Sequence, residues 1–191
     1  HERQSRVGRY QVSSFIFLFK TADERRAIGD RDRFALRIGK VLFNKQHPDY
    51  IKMKVVNTIL GGYFGSRLMT NIREDKGYTY GIGSNMSSLK YGGSFAIASE
   101  VGNDVREKAL VEIFKEIEKL RSDLVLDEEL SLVKNYMLGS FLRSADGPFA
   151  LSELVKSVVD YGFGMDYFDD FLSTVKNITA KEIRELAVKY L

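Results

Sequence analysis

The chain has 191 residues, enough for one domain with a sizeable core and hardly for two. Its formal net charge of +3 is small and evenly spread, which argues against nucleic acid as a partner. It has no cysteine, which excludes disulfides, thiol catalysis and cysteine-ligated zinc, and no apolar run long enough to span a membrane.

Residues 10–20, YQVSSFIFLFK, are rich in β-branched and aromatic types and read as a strand. The polar stretch TADERRAIGDRD, 21–32, reads as a loop or short helix. RFALRIGKVLF, 33–43, alternates, with Phe34, Leu36 and Ile38 on one face, and predicts a second strand. From His47 to Gly62, Pro48 suits a first helical turn. Ile51, Val55, Ile59 and Leu60 keep helical spacing, and Gly61 and Gly62 are expected to stop the helix. A second short helix is expected from Gly65 to Asp75, with Leu68, Met69 and Ile72 inward and Ser66 as its cap. Gly77 would end it in the left-handed region. Two antiparallel strands follow, GYTYGIGSNMSS and GGSFAIASEV, joined by a turn at LKYGG.

The remainder is helical. Val105, Ala109, Ile113, Ile117, Leu120 and Leu124 form one apolar stripe, opened by a capping-box pattern at Asp104 and Glu107. Leu130, Val133, Met137 and Phe141 form the next, and ADGPF breaks it. Helices over 149–161 and 166–176 precede a last one that opens on a Thr179/Glu182 capping box. Strands first and helices later predict an α+β fold with helices packed on one face of a sheet.

The chemistry-bearing candidates are few. His47 is the one histidine away from the terminus, and neither H-E-x-x-H nor its inverse occurs, so no metal site is expected and His47 is placed at a helix start. GGYFGS lacks the Gly-Lys-Ser/Thr ending of a phosphate loop and reads as a helix–helix elbow. Ser66 has no partner base and is not a nucleophile. Arg73 and Tyr80 differ from these. The reversal at Gly77 can bring both to one surface, where a guanidinium suits carbonyls or carboxylates and a phenol can donate to a developing oxyanion.

Residues 47–84, with the elbow LGG-x-F-x-SRL followed by R-E-x-K-G-x-x-Y, resemble the C-terminal, non-zinc domain of the pitrilysin/insulysin zinc peptidases. That group includes insulin-degrading enzyme and the mitochondrial processing peptidase. The resemblance continues more weakly to about residue 190. It implies an α+β fold whose antiparallel-rich mixed sheet is covered on one face by helices. It also implies paired homologous domains that face each other like a clamshell around an unfolded peptide. Zinc, held by H-x-x-E-H and a distal glutamate, belongs to the N-terminal-type domain. This chain would bind no cofactor itself and would supply Arg73 to hold substrate backbone and Tyr80 to stabilise the tetrahedral intermediate.

The expected partners are therefore a zinc-bearing homologous domain or subunit and an unfolded peptide, with no nucleic acid and no membrane insertion. Alone, the chain should not hydrolyse peptides. The alternative is an inactive scaffold of the same fold. Residues 1–32 match the family poorly and 33–191 carry the domain, which stops inside a helix and so reads as truncated. The expected setting is soluble, in cytoplasm or bacterial periplasm.

Overall fold

A computed structural model describes residues 14–20 and 33–191. Four strands, β1 (Ser14–Lys20), β2 (Arg33–Leu42), β3 (Thr79–Leu89) and β4 (Gly92–Gly102), form one sheet in the order β1-β2-β4-β3. Every described pairing is antiparallel. The first part of the expected first strand, 10–13, and the expected loop at 21–32 lie outside the described residues.

The strands obey a period of two, so one face is apolar and buried. Leu36, Ile38 and Leu42 of β2 lie on it with Ile82 and Met86 of β3 and Phe95, Ile97 and Val101 of β4. Arg37, Asn85, Ser94, Ala98 and Glu100 occupy the opposite, exposed face.

Helices cover the buried face, which makes the fold α+β as expected. They are α1 (Tyr50–Asn57), α2 (Arg106–Ser122), α3 (Asp127–Ser144), α4 (Pro148–Val159), α5 (Asp166–Asn177) and α6 (Ala180–Tyr190). Val55, Val56 and Ile59 join Ala109, Ile113 and Leu120 of α2, Val133 of α3 and Ile183 of α6 in one core. Gly147, at φ +89, and Pro148 at the first turn of α4 account for the break at ADGPF.

Two helical expectations change. The 47–62 helix is α-helical only to Asn57 and widens into a π-helical segment over Thr58–Gly62. The next helix carries a π segment over Met69–Asp75. At the start of α2 the Asp104/Glu107 box does not form, because Asn103–Val105 wind into a 3₁₀ turn and Glu107 pairs with Arg106 at 2.9 Å. Leu124 lies beyond the end of α2 and is exposed.

The last capping box forms in full. The Thr179 hydroxyl accepts from the Glu182 N–H at 3.2 Å, and the Thr179 N–H donates to Glu182 Oε2 at 2.9 Å. Lys52 of α1 adds an ion pair to Glu182 at 2.7 Å, so one carboxylate both caps α6 and ties it to α1. The Lys52 bond, followed by those from Thr179, lowers the Glu182 pKa from 4.5 to about 2. A depressed carboxyl stabilises the fold fully above about pH 4.5, and that stabilisation is lost as pH falls towards 2. Glu182→Gln should therefore be less stable than the parent at pH 6, and the gap should close through this window. Urea unfolding at stepped pH measures it; a gap independent of pH would place the stabilisation elsewhere.

Candidate functional site

The site is built around the elbow between the two π-helical segments. Gly61, the penultimate residue of the first segment, lies against β3, and a Cβ there would come within 2.6 Å of both Ser84 N and Ser84 Oγ. From the strand side, a Cβ on Gly83 would lie 3.2 Å from the Gly61 carbonyl oxygen. Gly62 is similarly close to Asn57, 3.0 Å from its Nδ2. Neither Gly61 nor Gly62 has positive φ. Their role is close backbone approach, and the helix ends where Tyr63 turns extended.

The elbow is fastened on its far side to α3. The Tyr63 ring packs on Tyr136 at 4.7 Å between centroids, and Arg67 donates through Nε and Nη2 to the two carboxylate oxygens of Glu129 at 2.8 and 2.7 Å. Ser66 precedes the second helix, and its carbonyl accepts from Thr70 N–H at 2.9 Å. Its side chain is buried and Oγ has no hydrogen-bond partner, so the expected hydroxyl cap does not form and the bond from Thr70 is the ordinary first bond of the helix.

Leu68, Met69 and Ile72 point into the core, which turns Arg73 away from it. The π winding is seen directly in the bond from Lys76 N–H to Asn71 O at 3.1 Å, five residues back. Gly77, at φ +63, then reverses the chain, with Gly77 N–H on Arg73 O at 3.2 Å and Tyr78 N–H on Ile72 O at 3.0 Å.

That reversal joins the two predicted residues. Arg73 Nε donates to the Tyr80 carbonyl at 3.0 Å, its guanidinium lies over the Phe64 ring at 4.8 Å, and Nη1 is 3.7 Å from Glu74. Phe64 entered the sequence reading only as the aromatic of the LGG-x-F-x-SRL elbow, with no role assigned to it.

Tyr80 itself sits at a β-bulge. Thr79 pairs with Val101, yet Ile82 pairs with Ser99, so β3 carries one residue more than β4 between these points. Hydroxyl groups replace the missing ladder. Thr79 Oγ1 donates to Glu100 O at 2.7 Å and accepts from Gly81 N–H at 3.1 Å, while buried Ser99 donates to Gly81 O at 3.0 Å. The bulge turns Tyr80 outward, where it is 79% exposed. Its ring separates two depressions, one lined by Arg37, Ala98 and Glu100 on the open sheet face and a larger one, of about 630 Å³, lined by Tyr78, Asn103 and Asp104.

The described residues offer zinc no ligand set. Among them no three His, Cys, Asp or Glu side chains converge. His47 stands at the helix start, its ring stacked on Phe43 at 3.9 Å and its Nδ1 accepting from the Asp49 N–H at 3.1 Å. No described helix is long and apolar enough to cross a membrane.

Comparison with known proteins follows the motifs. The family model of the peptidase M16 inactive domain matches residues 16–137, well over half of the chain. The zinc protease YmxG of Bacillus subtilis, itself described as uncharacterized, is 31% identical over 100 residues, 52% of this chain and 24% of its own. The non-peptidase homolog YmxG of Helicobacter pylori is 29% identical over 143 residues, 72% of this chain and 32% of its own. The chain thus spans about a third or less of these relatives. The crystal structure of a peptidase M16 inactive domain from Pseudomonas fluorescens superposes with a TM-score of 0.76 at 24% identity, over 83% of this chain and 38% of that one.

The tight seat of Gly61 is testable by itself. Gly61→Ala drives a methyl into the β3 backbone and should cost about 1–3 kcal/mol, as overpacking does. Gly81→Ala, which meets nothing within 4 Å, is the control for a β3 glycine. Equal denaturation midpoints for the two variants would show that the elbow yields freely.

Proposed function

The chain belongs to the peptidase M16 inactive-domain family, and from that premise we propose that it is the non-catalytic half of a zinc-dependent peptidase site. In this reading it faces a zinc-bearing homologous domain, on the same polypeptide or another, and the two enclose an unfolded peptide. Arg73 holds a carbonyl or the carboxylate end of the peptide through its terminal nitrogens, since its Nε is already bound. The Tyr80 hydroxyl donates to the scissile oxygen as negative charge develops there. Chemistry at the metal belongs to the partner domain, and no residue described here takes part in it.

The observation that carries the reading is the 3.0 Å bond from Arg73 Nε to the Tyr80 carbonyl. It fixes the guanidinium to the main chain of Tyr80, seven residues on in sequence, and so brings two side chains of complementary chemistry to one place beside an open depression. A second reading, an inactive scaffold of the same fold, draws support from the Helicobacter pylori relative, whose name is that of a non-peptidase.

A mixing experiment separates the two. Adding the chain to a zinc-bearing homologous domain should restore cleavage of an unstructured fluorogenic peptide. Arg73→Ala and Tyr80→Phe should each lower kcat/KM by roughly 10²-fold, the scale of losing one oxyanion donor. Cleavage by both variants at the parent rate would refute the catalytic role and favour the scaffold.

A further inference from the structure

We infer that Phe64 is a positioning residue for Arg73, an aromatic plate that fixes which edge of the guanidinium faces a ligand. The inference deepens the proposed site and its functional meaning rests on that reading, although the contact itself does not.

Three observations converge on it. First, Phe64 is 64% exposed, so burial does not account for an aromatic there. Second, its placement is rigid. Tyr63 N-terminal to it is stacked on Tyr136, Arg67 just beyond is held bidentately by Glu129, and Ser66 N–H closes the intervening turn on Tyr63 O at 3.2 Å. Gly65 lets the Tyr63 ring fold inward, since a Cβ there would stand 2.9 Å from that ring. Third, the outward ring lies under the Arg73 guanidinium at 4.8 Å.

The geometry divides the work on Arg73. A guanidinium has two faces and a rim of five N–H donors. Phe64 covers one face, and the Tyr80 carbonyl takes the Nε–H. Stacking on an aromatic is well suited to this delocalised cation, whereas a lysine ammonium would lose the planar match. What stays presentable is the rim formed by the terminal nitrogens, of which Nη1 lies 3.7 Å from the exposed Glu74 carboxylate. A flexible arginine on an exposed helix end would have to lose that freedom on binding; here the ring has already removed much of it.

The test uses the 191-residue chain and reads the Arg73 Nε–H resonance, assigned through its loss in Arg73→Lys. In the parent this proton should be displaced by the ring current and protected from exchange with water. Phe64→Leu keeps apolar bulk and removes the π face. It should abolish the displacement and speed exchange roughly two- to fivefold, the factor an exposed cation–π contact supports. Phe64→Tyr should restore both, with the backbone amide spectrum of β3 unchanged in either variant. An Nε–H resonance identical in Phe64→Leu and the parent would overturn the inference, as would failure of Phe64→Tyr to rescue it. In the peptide-cleavage mixture, Phe64→Leu should raise KM more than it lowers kcat. If the resonance responds as stated while Arg73→Ala cleaves at the parent rate, the positioning by Phe64 stands and the proposed function falls.

Discussion

The arrangement of this domain depends on one backbone-on-backbone contact, the seat of Gly61 against Ser84 and Gly83 of β3. A side chain on either partner would hold the first π-helical segment away from the strand. Because neither Gly61 nor Gly83 brings a side chain to the contact, the elbow is pulled tight against the sheet. The helix that follows must then start close to β3 and run back along it. Leu68, Met69 and Ile72 take the inward positions, and Arg73 is left at the rim, within reach of the strand that begins at Thr79. The same contact closes a hazard. β3 is an edge strand, and an edge strand offers unpaired backbone groups to any neighbour. Here Ile82 N–H is met by Met69 Sδ at 3.5 Å and the Ser88 carbonyl accepts from the Tyr161 hydroxyl at 2.9 Å, while the Ser88 side-chain hydroxyl accepts from Lys45 N–H at 3.0 Å.

With the edge closed, the open face of the sheet is where the fold meets its surroundings, and the bulge decides what appears there. Without the extra residue at Thr79–Ile82, strict alternation would bring the strand into a different phase at Tyr80. The inserted residue costs ladder hydrogen bonds, and the Thr79 and Ser99 hydroxyls replace them within the strand pair. Two small polar side chains thus keep an exposed tyrosine fixed at the end of a strand. Arg73 adds the last restraint by binding the carbonyl of the same residue.

Much of this was legible in the sequence, and the failures share a cause. Alternation in Phe34–Ile38 found β2, since burial on one face leaves a period of two, and the turn at LKYGG placed β3 and β4 on either side of it. Thr179 and Glu182 found a helix start because both halves of the box bond there. Asp104 and Glu107 matched the same pattern and failed. Asp104 Oδ1 instead lies over Gly102, where a Cβ would meet it at 2.6 Å, and Arg106 takes Glu107. The π segments were invisible. A π turn shifts the buried stripe by one residue, and Val55, Ile59 and Leu60 satisfy either winding. Gly61 looked like a stop signal, when its small size matters for a contact that only the folded chain makes. The approach of Arg73 to Tyr80 was readable because Gly77 marks a reversal, and the family resemblance is what singled the two out. Phe64 was overlooked because an aromatic beside glycines reads as ordinary elbow packing until the partner above its ring is known.

The site residues also differ in what the fold itself explains. Arg73 has a local reason to be arginine, since it closes the carbonyl at the bulge and lies on an aromatic ring. Yet the acceptor in that bond is main chain, which every residue type at position 80 would provide. The bond therefore accounts for the arginine and not for the tyrosine. Burial does not account for it either, because most of the Tyr80 surface faces solvent. What distinguishes a tyrosine there is a hydroxyl donor and a ring, on a residue that lines both the depression on the open sheet face and the larger one at the strand end. A scaffold needs an interface there but sets no requirement on a hydroxyl. The proposed composite site asks for a hydroxyl on a fixed backbone, and the bulge, the two hydroxyls and Arg73 jointly hold the main chain at Tyr80. The trans-acting reading therefore makes a demand on the Tyr80 hydroxyl that the scaffold does not, and Tyr80→Phe removes that hydroxyl while leaving the main-chain bond from Arg73 in place.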